Sequence, residues 1–471
     1  MKPSILFLFS CLLSGVFAQN APDTMAVYET DYRLKETAVS FWIPTHFGYI
    51  NLTQAIKTNF KVRLTSSDFK LIKSWELDST GDILADNYLG YELNGTTLSV
   101  SFKNTERRKL TLLNIILDSE DHTTHTLNIK DDYYETDLYI PRSDERPGYI
   151  QYYSKGSTKQ LRYYQPQSNG TLKVYIKPVE DKYLAKQLYK MEQTDCLLAE
   201  NGFADNLYWN AHHDLKASWD NGVLYVGLPN NTQHFTLVYR VPFLTDAPIT
   251  KTTYKNFGTQ AAQHRTTITL ADGRLYQTGF NPQAFTIQVK AHDLEQNVQI
   301  LDTTFSIADS NMLPSDALFH LDNKETEALS EIRDLQQFFK KLKRNKHMML
   351  GVAPLEDGTI QLVVGAAVDE DKTNLLKSIG LSLVGSIIAE ATNFGTIGYD
   401  DWVKNQKSIT WAELNFDLST NTLGPKRSAS FLTRSARIFI GYVDTFIFDG
   451  EFAYRVDYDR RSRSYYVIRV R

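Results

Sequence analysis

A single recurring unit restricts the fold more than anything else in the chain. An acidic or Asn-Gly turn enters a short strand of period-two hydrophobicity, a polar turn follows, and a second strand returns. Asp220-Asn221-Gly222 leads into Val223-Leu224-Tyr225 and then Phe235 to Val241. Asp272-Gly273 leads into Leu275-Tyr276, Phe285 to Val289 and Val298 to Phe305. Glu356-Asp357-Gly358 and Asp449-Gly450 repeat the scheme, the latter before Tyr454 to Tyr458 and Tyr465 to Val470. Alternation rich in Tyr, Phe, Thr, Val and Ile between Gly, Asn and Asp turns reads as antiparallel β-meander. Leu98 to Phe102, Leu110 to Leu117, His125 to Ile129, Tyr149 to Tyr153, Gln160 to Tyr164 and Thr171 to Ile176 extend it, with Asn169-Gly170 as a hairpin signal.

Turn glycines at 95, 148, 222, 273, 358 and 450 head these units. The shorter intervals between them approach one propeller blade of ~40 to 50 residues, and the longer ones need an insertion or a skipped unit. The chain is therefore expected to be all-β, a six- or seven-bladed β-propeller spanning residues 19–471, a fold that shelters most strand edges without disulfides. The alternative is two or three β-sandwich domains. Trp219-Asp220 occurs once, so the repeated Trp-Asp blade signature is missing. No linker rich in Pro, Gly or Ser divides the chain, and 141–147 and 310–314 are the best candidate junctions.

Two insertions interrupt the meanders. The first, 322–345, reads as an amphipathic helix: Asp322 caps it with Glu325 three residues on, and Leu329, Ile332, Leu335, Phe339 and Leu342 share a face. Lys340, Lys341, Lys343 and Arg344 sit where the helix dipole favours cations. The second, 373–398, is apolar on most sides. Its residues Leu376, Ile379, Leu383, Val384, Ile387 and Ile388 are expected either to be buried beneath a sheet or to meet a partner or a membrane interface.

Residues 1 to 18 read as a cleavable export signal. Lys2 supplies the positive start, Ile5 to Leu13 the apolar run, and Val16-Phe17-Ala18 small residues at the two positions a signal peptidase reads. The run is too short for a bilayer span of about 20 residues, so the mature chain is expected to have no transmembrane segment. A lipoprotein acylated at Cys11 is the competing reading. After cleavage Cys196 is the only cysteine, which rules out an internal disulfide and leaves stability to the core. With 42% hydrophobic residues in 471 the core is ample.

The net charge of −4 gives no electrostatic footprint for nucleic acid. His122 and His125 lie among Asp118, Glu120 and Asp121, in what reads as a solvated turn rather than a metal site, and His212-His213-Asp214 has no third ligand placed by sequence. The Gly380-Leu381-Ser382 stretch lacks the closing glycine of a nucleophile elbow, and Cys196 reads as a small buried residue. Asp369-Glu370-Asp371 and Asp400-Asp401 lack the spacing of a calcium loop. There is no phosphate loop or dinucleotide fingerprint, so no cofactor or metal is expected. The pairs Tyr133-Tyr134, Tyr152-Tyr153, Tyr163-Tyr164 and Tyr465-Tyr466 put one ring on each face of a strand, and the outward rings are candidates for stacking on sugars or proteins. Asn51-Leu52-Thr53, Asn94-Gly95-Thr96, Asn169-Gly170-Thr171 and Asn230-Asn231-Thr232 match the N-glycosylation tripeptide.

The expectation is an exported, non-catalytic binding or scaffolding protein whose partner is a protein or a glycan. A glycan hydrolase or lyase with acids on blade-connecting loops is the rival, and peripheral membrane association through residues 375–391 a third reading.

Overall fold

The computed structural model describes residues 24–29, 39–45, 47–54, 59–78, 80, 83, 88–104, 109–128, 135–139, 148–167, 169–191, 216–230, 233–257, 265–271, 273–306, 318–322, 328–332, 334–344, 347–354, 359–369, 406–417, 420, 422–424, 445–449, 452–459 and 464–470. It divides into two compact units, residues 1–76 with 440–471, and residues 77–439.

In the first unit β1 (Thr24–Glu29) pairs antiparallel with β30 (Ser464–Val470), which continues to β29 (Phe452–Asp459) and β28 (Thr445–Asp449). One sheet thus joins the start of the chain to its end. The other sheet is a four-stranded meander, β2 (Val39–Thr45), β3 (Gly48–Gln54), β4 (Lys61–Thr65) and β5 (Leu71–Glu76).

The described residues of the second unit form five sheets in chain order. Four are meanders of four strands: β6 (Tyr88–Asn94) to β9 (His122–Asn128) through β7 (Thr97–Asn104) and β8 (Lys109–Ile116); β10 (Glu135–Tyr139) to β13 (Leu172–Pro178) through β11 (Tyr149–Lys155) and β12 (Thr158–Pro166); β14 (Lys216–Asp220) to β17 (Thr250–Lys255) through β15 (Val223–Asn230) and β16 (Phe235–Pro242); and β18 (Arg265–Ala271) to β21 (Val298–Ser306) through β19 (Arg274–Asn281) and β20 (Thr286–Asp293). The fifth has six strands. Here β24 (His347–Pro354), β25 (Thr359–Asp369) and β26 (Gln406–Asp417) form the meander, and the strand beyond β26 is split between two pieces of chain. β22 (Leu318–Asp322), hairpinned to β23 (Ala328–Glu331), pairs with residues 408–412, while β27 (Thr422–Gly424) pairs with residues 415–417.

Burial decides between propeller and sandwich. Whole strands are covered on both faces: every residue of β3 is buried, as are all but the first of the edge strand β18 and the six inner residues of β19. A sandwich sheet keeps one face in water and alternates buried with exposed. Successive sheets in the second unit also stack through their leading strands, β14 and β15 on β18, then β18 and β19 on β24. The fold is all-β, a succession of meander blades of β-propeller type.

A local rule recurs from blade to blade. Asn221 and Gly222 take φ of 46° and 81°, the left-handed geometry of a tight hairpin between β14 and β15. The Gly222 carbonyl then accepts the N–H of Phe243, the residue after β16, at 2.9 Å. Gly273 with Leu294 and Thr96 with Leu117 repeat this bond at 3.0 and 2.9 Å, and all three closing side chains are buried. The first turn of each of these blades therefore latches the exit of its third strand.

Two helices occur among the described residues, α1 (Lys182–Met191) and α2 (Leu335–Arg344). The second corrects the helix expected over 322–345. Its N-terminal half is the β22–β23 hairpin, with Leu321 opposite Leu329 and Asp322 opposite Ala328, and helix begins only at Leu335. Asp322 is spent in a strand ladder, so the cap is Asp334, whose carboxylate accepts the Gln336 N–H at 2.9 Å. The edge of β26 offers β22 backbone partners, and that tertiary pairing overrides the helical periodicity of residues 322–332. The predicted face survives in part: Phe339 and Leu342 are buried together with Phe338, in a core with Phe280, Leu362 and Leu414. Each such side chain contributes about 1.5–3 kcal/mol of burial.

Candidate functional site

The sequence places α1 directly after β13, the last strand of the β10–β13 blade. Asp181 starts it: Oδ1 accepts the N–H groups of Tyr183 and Leu184 at 2.8 and 2.9 Å, and its carbonyl accepts that of Ala185 at 3.0 Å. This satisfies backbone donors that a helix start leaves open. Leu184, Ala185 and Leu188 point inward onto a core with Tyr152, Tyr163 and Trp219, and the Tyr152 hydroxyl donates to the Ala185 carbonyl at 3.3 Å.

A second tie crosses to the next blade. Lys251 on β17 donates to Asp181 Oδ2 at 2.7 Å. Burial alone pushes the Asp181 carboxyl up, but the hydrogen bonds from Lys251 and Leu184 and the Lys251 charge outweigh it and hold the group below its usual value. Burial and the neighbouring Asp181 charge together push the Tyr239 phenol well up, so it stays protonated at any physiological pH. Lys177, itself buried, adds a clasp by donating to the carbonyl of Ala247 at 2.9 Å and to that of Thr245.

The outer side of this helix carries two exposed rings. Tyr183 and Tyr189 stand 37% and 56% exposed. Beside Tyr189 an open groove of about 730 Å³ runs between α1 and the β11–β12 turn, lined among others by Lys159, Gln160, Glu180, Lys182, Lys186 and Tyr189 itself. The N–H of Val179 donates to the Lys159 carbonyl at 2.8 Å and closes the floor. Three lysines, one glutamate and the Tyr189 ring are among its lining residues. Such a surface attracts anionic groups and offers an aromatic face for stacking or for apolar contact.

Most of the expected binding features lie elsewhere or are consumed by packing. Tyr152, Tyr153, Tyr163 and Tyr164 are all buried, at 8% exposure or less, which corrects the expectation of outward rings. A blade has a neighbour on each side, so neither ring of a pair reaches solvent. The Tyr163 ring packs on Trp219 at 4.8 Å and Tyr164 stacks on Tyr149 at 4.7 Å. His122 and His125 lie in strand β9 rather than a turn, and residues three apart on a strand face opposite ways. His122 contacts the Asp78 carbonyl through Nε2 at 2.8 Å, and His125 covers Gly170, where a side chain would meet its ring at 2.5 Å. Leu376, Ile379, Leu383, Val384, Ile387 and Ile388 lie outside the described residues, as do Cys196, His212, His213, Tyr133 and Tyr134. Among the described residues no group of three or more His, Cys, Asp or Glu is placed to hold a metal ion, and no helix is long and apolar enough to cross a membrane.

The α1 surface was missed in the sequence, although a signal was present. Asp181 followed by Leu184, Ala185 and Leu188 is a cap ahead of a short apolar stripe at helical spacing.

No protein-family profile matches the chain, and no curated protein matches it. Solved structures do. The chain is similar to the β-propeller domain of the Trilobed protease from Pyrococcus furiosus, at 9% identity and TM-score 0.34, covering 89% of this chain and 91% of that one. It is similar to the WD40 domain of SCAP from fission yeast, at 9% identity and TM-score 0.30, over 96% and 95% of the two chains. An oligogalacturonate lyase in complex with manganese gives 9% identity and TM-score 0.34 over 96% and 97%. Likenesses this distant transfer no activity, and the fold stands on the sheet succession itself.

Proposed function

We propose that this chain is an exported, non-catalytic binding module, and that it engages an acidic segment of a partner protein through the outer face of α1. The observation that carries the reading is the coincidence, on one groove, of Lys159, Lys182 and Lys186 with the exposed ring of Tyr189. Charge complementarity selects the partner's sign and speeds its approach, and the ring supplies buried area at low entropic cost. The first turn of the helix beneath is fixed by Asp181 and the Tyr152 hydroxyl, and Leu188 anchors its next turn in the core, so little ordering is needed on binding. Export rests on the reading of residues 1–18.

The test is fluorescence anisotropy of a labelled oligoglutamate peptide titrated with residues 19–471, alongside Tyr189→Ala and a labelled oligolysine peptide. Saturable binding of the acidic peptide, weakened at least several-fold by Tyr189→Ala and by raised salt, is expected. Equal binding of both peptides, or no effect of Tyr189→Ala, contradicts the proposal.

A further inference from the structure

Three of the four N-glycosylation tripeptides fall into opposite structural classes, and the fourth, at Asn230, continues into residues 231 and 232, outside the described ones. Asn94 and Asn169 are exposed hairpin residues, beside Gly95 and Gly170 at φ of 60° and 77°. Asn169 Oδ1 accepts both the N–H and the hydroxyl of Thr171, at 3.1 and 2.7 Å, so the turn is held through the carbonyl oxygen rather than through Nδ2, the atom a glycan would occupy.

Asn51 shares the bond from its threonine hydroxyl but not the setting. It lies in the middle of β3, paired with Trp42 on β2 and Arg63 on β4, and is 1% exposed. Its Oδ1 accepts the Arg63 guanidinium and the Thr53 hydroxyl, each at 2.9 Å, and Arg63 also donates to Thr53 at 3.0 Å; all three residues are buried. The tripeptide's own threonine is part of this network. Interiors are packed too densely to admit a sugar, and displacing the carboxamide would deprive a buried guanidinium of an acceptor.

We infer that a glycan on Asn51 and the folded state of this blade exclude one another, whereas Asn94 and Asn169 accept glycans without cost to the fold. In the reaction concerned, Asn Nδ2 attacks the anomeric carbon of a lipid-linked oligosaccharide. The new C–N bond forms as the bond to the lipid pyrophosphate breaks, and one amide proton passes to the transferase. The transferase meets chains before they fold, so burial of Asn51 does not protect it at that moment. A maturation route that leaves Asn-x-Thr unmodified is the one this fold requires. The export reading enters only in bringing the chain to such an enzyme, and the experiment supplies that step independently.

Residues 19–471 are secreted from a glycosylating eukaryotic host behind a foreign signal. Folded, protease-resistant chains and retained or aggregated chains are then separated, and glycans are removed enzymatically in heavy-oxygen water, which marks each formerly glycosylated Asn as labelled Asp. The expected map has label at Asn94 and Asn169 in the folded chains and label at Asn51 only in the retained ones. Folded chains labelled at Asn51 as fully as at Asn169 overturn the inference. So do folded chains bare at both Asn94 and Asn169 when the retained chains carry label there.

Discussion

Helices α1 and α2 are each ten residues long, each starts from an aspartate that caps it, and each lays an apolar stripe on a sheet. They use their remaining residues differently. α2 drives Phe338, Phe339 and Leu342 into the core and ends in Lys341, Lys343 and Arg344. Its nearby ring, Phe285, is already claimed by an edge contact with Phe339 and by the Lys343 ammonium at 5.2 Å. α1 buries only Leu184, Ala185 and Leu188 and leaves two tyrosines and a groove in water. One helix completes a core. The other meets the core's needs with its smaller residues and keeps its rings outside, which is the pattern of a surface kept for contact.

The core sides of the two helices give the largest effects. Phe339→Ala is expected to cost about 4 kcal/mol and Leu188→Ala about 3 kcal/mol, because each opens a cavity that close packing cannot refill. Urea midpoints would show the larger drop for Phe339→Ala, and the reverse order would mean that α1 is the more deeply committed helix.

The caps separate the helices next. Asp334→Ala removes one side-chain cap and is expected to cost about 1 kcal/mol. Asp181→Ala also leaves Lys251 without its 2.7 Å partner and is expected to cost about 2 kcal/mol, part of it lost at high salt. Equal costs for the two variants in low salt would mean that the Lys251 tie contributes nothing.

Acid sharpens the same contrast by a smaller amount. The Asp181 carboxyl is held below its ordinary value of 3.8, so as pH falls the unfolded chain takes up that proton first. Stability from this group is therefore complete above about pH 3.8 and lost as pH falls through the depressed folded value. Asp181→Asn should flatten the acid limb of a stability profile measured at low salt, and an unaltered limb would count against the pairing.

Much of the fold is legible in the sequence because strands and hairpins are local. Leu98 to Phe102, Gly222 with its turn and the Phe235 to Val241 strand can be read from alternation and turn chemistry alone. The β22–β23 hairpin is not, since residues 322–332 carry a helical stripe and only the distant β26 edge makes them strands. The pairs Tyr152-Tyr153 and Tyr163-Tyr164 mislead for the same reason: alternation says that rings point both ways, but only the stacking of blades decides that both ways are inside. The latch from Gly222 to Phe243 recurs at the same offset from Gly273 to Leu294, a repeat more regular than the turn glycines themselves. The α1 surface is the least legible part, because a cap and two leucines do not tell which neighbours stay exposed.

The central claim is that α1, rather than α2, is the contact surface. The most direct measurement reverses two charges on each helix, Lys182→Glu with Lys186→Glu in α1 and Lys340→Glu with Lys343→Glu in α2, and compares the affinity of an oligoglutamate peptide for the two proteins. All four lysines are exposed, but the α2 pair also loses a favourable helix-dipole term and the Lys343 contact with Phe285, so that protein is expected to be about 1 kcal/mol less stable while still folded, which a urea midpoint checks. The account predicts at least a tenfold loss for the α1 pair, about 1.4 kcal/mol, and little change for the α2 pair. Equal losses, or a loss confined to α2, would contradict it.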